Sequence, residues 1–225
     1  GKRTLIAVVY PDEQCLEKGP SGDYGCEVFF TDLRDLEAMQ FVSPAGNRLV
    51  YQLIRHEEVE RLSRPGVSLR DHIVHQLSVT GALRTVNARE NLNIDFDSFE
   101  LTRYVQPRDV RIDQARYLRD LSRAQRSMDP SRVIALATAL QQQTPAELLL
   151  HGHDLSEFLA AIASGPHGYG SDRHSAENIE LALRTGYSID DFRTTRLFAR
   201  LLDWGKRRQV DLLAPGLEPA ADVPA

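Results

Sequence analysis

Phe29-Phe30-Thr31-Asp32-Leu33-Arg34-Asp35-Leu36-Glu37-Ala38-Met39 is the stretch on which the fold turns. It opens as a buried strand, Glu27 to Phe30, and passes within two residues into the first turn of a helix. There the side chain of Thr31 or Asp32 can accept from the free N–H groups. Three carboxylates thus gather at a strand-to-helix junction. At about 100° per residue, Asp32 and Asp35 fall about 60° apart on the helix, whereas Glu37 lies about 200° from Asp35. One cation can be shared by Asp32 and Asp35, but hardly by Glu37 as well. The same acids also read as plain helix chemistry, with Asp32 as N-cap and Asp35 in the first turn offsetting the helix dipole. Glu37 sits among Leu36, Ala38, Met39 and Phe41 and needs a partner in either reading; a backbone group or a basic side chain such as Arg34 or Arg48 is expected.

Upstream, Thr4 to Tyr10 (TLIAVVY) is a continuous apolar run rich in β-branched residues, the pattern of a strand covered on both faces of a parallel sheet. It stops at Pro11-Asp12-Glu13. Ligands of open α/β sheets bind just past the carboxyl ends of strands, which makes Asp12 a candidate site residue; a turn residue after proline is the competing reading. If the two strands run parallel, Asp12 and Asp32 arrive at the same sheet edge.

Downstream, Ser43-Pro44 breaks and restarts the chain, with Pro44 in the first turn of a helix to about Ile54. Arg64-Pro65-Gly66 is a turn and a domain boundary. A helix from Ser68 to about Leu83 points Leu69, Ile73, Leu77 and Val79 toward a core. Asn91 to Phe96 (NLNIDF) alternates with period two and predicts a short strand, with Phe99 to Val105 as its partner. From Ile112 the pattern is helical: Ala115, Leu118 and Leu121, then Val133, Ala137 and Leu140, then Leu155, Phe158, Leu159 and Ile162. Ser164 to Ser175 is a Gly/His/Ser-rich loop without the Lys-Ser/Thr ending of a phosphate-binding loop. Helices over about 176–184 and 191–204 precede a Pro/Ala-rich tail from Ala214 that is expected to be disordered. The expected organisation is a small α/β unit over 1–64, a mainly helical region over 65–213 and a tail over 214–225.

The 225 residues are 42% hydrophobic and 26% charged, with a net charge of −5. These values suit a globular chain with a real core and argue against a broad polyanion-binding surface, leaving a local basic groove open. The longest apolar run is too short to span a bilayer and no basic leader precedes it, so a cytoplasmic protein is expected. Cys15 and Cys26 lack metal spacing and are expected to be free thiols.

His151-Gly152-His153-Asp154 offers imidazole and carboxylate of the kind that suits Zn²⁺ or Mn²⁺, but no third ligand stands at fixed spacing, and a polar run before an amphipathic helix is also an N-terminal cap. His151, His153 and Asp154 are therefore assigned a structural or supporting role, with Glu37. His72 and His75, three apart on one helix, read as surface or core-edge residues. Lys206-Arg207-Arg208 complements a helix C-terminus or meets phosphate.

Four stretches, TDLRDLEAM (31–39), ENLNIDFDSF (90–99), HGHDL (151–155) and TGYSIDDFRTTRLFARLLDW (185–204), together resemble the TOPRIM-like family that includes the nuclease subunit of the PARIS anti-phage system. The resemblance implies an α/β fold: a partial TOPRIM-type parallel sheet followed by a helical extension, acting on nucleic acid with Mg²⁺ or Mn²⁺. It implies Asp12, Asp32 and Asp35 as metal ligands, Asp12 and Asp35 as catalytic groups, and Glu37 within the same acidic stretch. It also implies a partner ATPase or self-association. Hard cations of this type take carboxylates, waters and substrate phosphates, and polarise the phosphate under attack. Two features depart from the family pattern. Tyr10 stands where the family has the first acid of an Asp-x-Asp pair, and the catalytic Glu that the pattern places upstream would have to lie before Gly1. A non-catalytic interaction subunit with a lost metal site is the alternative from a different class. A regulatory nucleotide-binding domain is a third, for which no phosphate motif speaks.

Overall fold

A computed structural model of the chain describes residues 7–9, 28–63, 65–124, 129–169 and 174–209. Tyr10, Asp12, Cys15, Cys26 and the tail from Ala214 lie outside the described residues. Strand β1 (Ala7–Val9) pairs in parallel with β2 (Val28–Phe30), Val9 standing opposite Phe30. The carboxyl ends of these two three-residue strands therefore lie at one edge.

The helix after β2 starts later than the sequence suggests. Thr31 donates its hydroxyl proton to the carbonyl of Leu33 (2.6 Å), which bends residues 32–35 out of helical geometry. Asp35, extended at φ −148°, is the N-cap of α1 (Leu36–Val42). Ser43 then ends α1 and caps α2 (Pro44–Leu53), accepting from the Ala45 amide, with Pro44 in the first turn as expected.

Helix α3 (His56–Leu62) leads to α4 (Leu69–Arg89), the longest helix among the described residues, capped by Ser68. Its apolar stripe, including Leu69, Ile73, Leu77, Leu83 and Val86, is buried. Gly81 lets the turn Ala146–Leu149 press against this helix: a Cβ there would lie 1.6 Å from the carbonyl oxygen of Leu149.

NLNIDF is not a strand. Asn91 and Asn93 take left-handed backbone at φ 51° and 53°, which interrupts any extended path, and Asn is among the residues that tolerate it. The Asn87 side chain also occupies both backbone groups of Ile94, accepting its N–H (2.8 Å) and donating to its carbonyl (3.2 Å). No ladder is left for that residue to join. The expected partner segment coils as well, into a 3-10 turn over Leu101–Tyr104, before β3 (Val105–Gln106) pairs antiparallel with β4 (Arg111–Ile112).

The described residues that follow are mainly helical: α5 (Gln114–Ala124), α6 (Pro130–Gln143), α7 (Gly152–Ala163), α8 (Ala176–Gly186), α9 (Ile189–Arg193) and α10 (Arg196–Arg208). The single helix expected over 191–204 is two, because Thr195 accepts from the Phe198 amide and starts α10 afresh. Residues on both sides of position 64, from Ala38 to Leu183, share one apolar core. A second, smaller cluster joins Phe29 of β2 and Met39 of α1 to Leu197 and Trp204 of α10, with Trp204 edge-on to Phe29 at 6.0 Å. The described residues are thus mainly helical with two short strand pairs, short of the TOPRIM-type sheet that the resemblance implies, and the last described helix returns to the strand that begins the acidic junction. Among the described residues no helix is long and apolar enough to cross a membrane.

Candidate functional site

The acidic junction is where the amino ends of α1, α7 and α10 meet. A helix start leaves backbone N–H groups without partners and carries a partial positive charge, so each start needs an acceptor and favours an anion. Asp35 serves two of them. One carboxylate oxygen accepts from Ala38 of its own helix and the other from Gly152, the first residue of α7, both at 2.7 Å. His151 occupies the N-cap position of α7 without supplying a side-chain bond, so the cap comes from Asp35 and not from the local polar run. Only glycine allows this approach. A Cβ at 152 would stand 2.7 Å from an Asp35 oxygen and 2.7 Å from the Glu37 Cβ.

Burial raises the pKa of Asp35 above its ordinary value. The amide bonds from Ala38 and Gly152 pull the other way, Glu37 nearby adds to the rise and Arg34 opposes it. Asp32 serves the third helix start: it accepts from the Arg196 amide (2.5 Å) and lies 3.3 Å from the guanidinium of Arg200. Arg200 also donates to the carbonyl of Phe30, so α10 is bound to the end of β2 through both backbone and side chain.

Glu37 forms an ion pair with Arg184 (3.1 Å), which also lies 3.5 Å from Glu180. The partner is a basic side chain, as expected, but a distant one: Arg34 donates to Thr85, and Arg48 pairs with Asp191. Beneath the junction Asp154 is buried and receives a two-pronged bond from Arg84, whose guanidinium lies 4.9 Å from the Phe96 ring centre. His151 is held neutral. Burial lowers its pKa to about 4, Asp154 working against this and Arg84, Arg34 and His153 adding to it. His153 is exposed, 3.5 Å from Glu157.

Of the residues singled out in the sequence, the fold brings Asp35 and Glu37 to the start of α7 and Asp32 to the start of α10. Asp154 and His151 lie on the inner side of the α7 start, His153 on the outer. His72 bonds the Val110 carbonyl (2.9 Å) and His75 is exposed. Gly152, Arg84, Arg184 and Arg200, which complete the junction, were not legible as site residues. Their partners are 70 to 168 positions away along the chain, so no local spacing marks them. Among the described residues, no three His, Cys, Asp or Glu side chains come together as a group able to hold a metal ion.

No family model matches this chain, and no curated protein or solved structure matches it.

Proposed function

We propose that this chain is a degenerate, non-catalytic relative of the TOPRIM-like nucleases, an interaction subunit in a nucleic-acid-directed defence or mobile-element assembly. The observation that supports it is the state of Asp35, both of whose oxygens accept amide N–H groups of helix starts. A carboxylate facing two amide dipoles is a poor ligand for Mg²⁺ or Mn²⁺, because the cation would share the positive ends of the helices. Asp32 is engaged in the same way by α10. In this reading the acids lock three helices together and the assembly's chemistry resides elsewhere. A partner ATPase or a second copy of the chain in the cytoplasm supplies the context.

The second reading, a metal-dependent nuclease, draws on the parallel register of β1 and β2, which brings the ends leading to Asp12 and Asp32 to one edge. One assay separates the two. The purified chain is incubated with single-stranded DNA, double-stranded DNA and tRNA in Mg²⁺ and then Mn²⁺. Cleavage at background level is expected; cleavage that is lost in Asp12→Asn would establish the nuclease and overturn the proposal.

A further inference from the structure

A cleft of about 460 Å³ opens between α3, the first half of α4 and the β3–β4 hairpin. It is lined by Arg61 from α3, His72 and Gln76 from α4, and Arg108, Asp109 and Arg111 from the hairpin. Three guanidinium groups thus stand here with two carboxylates, Glu58 paired with Arg61 and Asp109 with Arg111, in a chain whose net charge is −5. The positive charge left over is that of Arg108, and it is local to this cleft.

The walls are fixed. Val110, fully buried at the hairpin tip with φ 49°, bonds through its carbonyl to His72, and the Ile112 amide donates to Gln76. Arg61 is braced by two bonds to Glu58 (2.9 and 2.7 Å), and Arg111 by Gln106 (2.8 Å) and by its ion pair with Asp109 (3.4 Å). Among the described residues the guanidinium of Arg108 has no hydrogen-bond or ion-pair partner, and the Gln76 side-chain NH₂ has none either. The cleft therefore presents a free planar fork and a free amide donor beside two braced cations. It lies roughly 12–18 Å along α4 from Arg84, at the 1.5 Å rise per residue of a helix, and so is separate from the acidic junction.

We infer that this cleft is a binding site for a small phosphate-bearing ligand, a polyphosphate or a mononucleotide. A guanidinium fork matches phosphate oxygens in pairs, and the unpaired Arg108 supplies one, with the paired Arg61 and Arg111 beside it adding long-range attraction for an anion. The volume falls within the roughly 300–1,000 Å³ of small-molecule sites. The inference stands independently of the proposed function, since it uses none of the residues of the acidic junction.

The test is calorimetric titration of the full chain with inorganic phosphate, tripolyphosphate, AMP and ATP, without divalent metal, at low and high salt. Tripolyphosphate or ATP is expected to bind more tightly than inorganic phosphate, and more weakly as salt rises. Arg108→Ala and Arg111→Gln are each expected to weaken binding by about tenfold or more, the scale of one charge-assisted bond. Arg207→Ala on α10 should leave binding unchanged. Thermal melts confirm that each variant is folded; the Arg108 contact to His167 is made through the backbone carbonyl and survives the substitution. Tighter binding of ATP than of tripolyphosphate assigns the site to nucleotides, and equal binding assigns it to polyphosphate. Absence of phosphate binding at millimolar concentration would overturn the inference, as would affinity unaffected by both cleft variants. So would binding of a short oligonucleotide with no binding of the free phosphates.

Discussion

Replacing Asp35 with alanine removes the acceptor from two helix starts at once, leaving the amides of Ala38 and Gly152 unpartnered in a partly buried place. Loss of an N-cap costs about 0.5–2 kcal/mol, and these two bonds to a charged acceptor sit in the upper part of that range. A loss of about 2–4 kcal/mol is therefore expected. For a chain of 225 residues this lowers the melting temperature by roughly 5–15 °C, at about 2–4 °C per kcal/mol. Differential scanning calorimetry on wild type and variant measures it. Asp35→Asn should fall between, since the amide retains one acceptor and turns its NH₂ toward the other N–H. Gly152→Ala should mimic Asp35→Ala, because the added Cβ pushes α7 off the same carboxylate. A melting temperature within a degree or two of wild type for both Asp35→Ala and Gly152→Ala would refute the double-cap account.

Two further outcomes follow from the ion pairs. Arg84→Met leaves Asp154 buried without its partner and should cost about 3–5 kcal/mol in urea unfolding, while the double variant Arg84→Met/Asp154→Leu should recover much of the loss; a double variant as unstable as the single one would count against the pairing. Burial alone would push the Asp191 carboxyl up, but Arg48 and the Ser188 bonds hold it below its ordinary value. Its contribution is therefore present above the unfolded pKa and is lost as pH falls through the lower folded value. Asp35, whose pKa is raised by burial, has the opposite sign: its contribution is greatest below the unfolded value and declines as pH rises through the folded one. Asp191→Asn should consequently flatten the acid side of the stability curve measured by chemical denaturation; an unchanged acid limb would show that the Arg48 pair does not couple to folding.

How far the sequence could be read depended on how local the deciding contact was. The strand–turn–helix at residues 28–42 was legible because apolar runs and capping side chains act within a few positions. That Asp35 also caps a second helix was not, because its other oxygen accepts from Gly152, 117 positions further on. Alternation in NLNIDF predicts a strand, but alternation records only that Ile94 and Phe96 are buried, and left-handed asparagines bury them equally well. The apolar spacing predicts that helix α4 ends near Leu83, but it continues to Arg89, where burial of Thr85 and Val86 outweighs their modest helix propensity. The acids of the candidate site were all visible as residues. Their chemistry was not, because a carboxylate's role depends on what faces it.

The closure of α10 on β2 has a consequence for synthesis. The pair between Arg200 and Asp32 spans 168 positions, so it cannot exist until the ribosome has added all the residues between them. At about 5–20 residues per second that takes roughly ten to thirty seconds. Throughout that time Phe29 and Met39 lack the cover of Trp204, and Asp32 lacks the amide it will cap. The first strand pair to be made is among the last pieces to be finished, and a nascent chain stalled before residue 196 carries an apolar strand face open to whatever binds it.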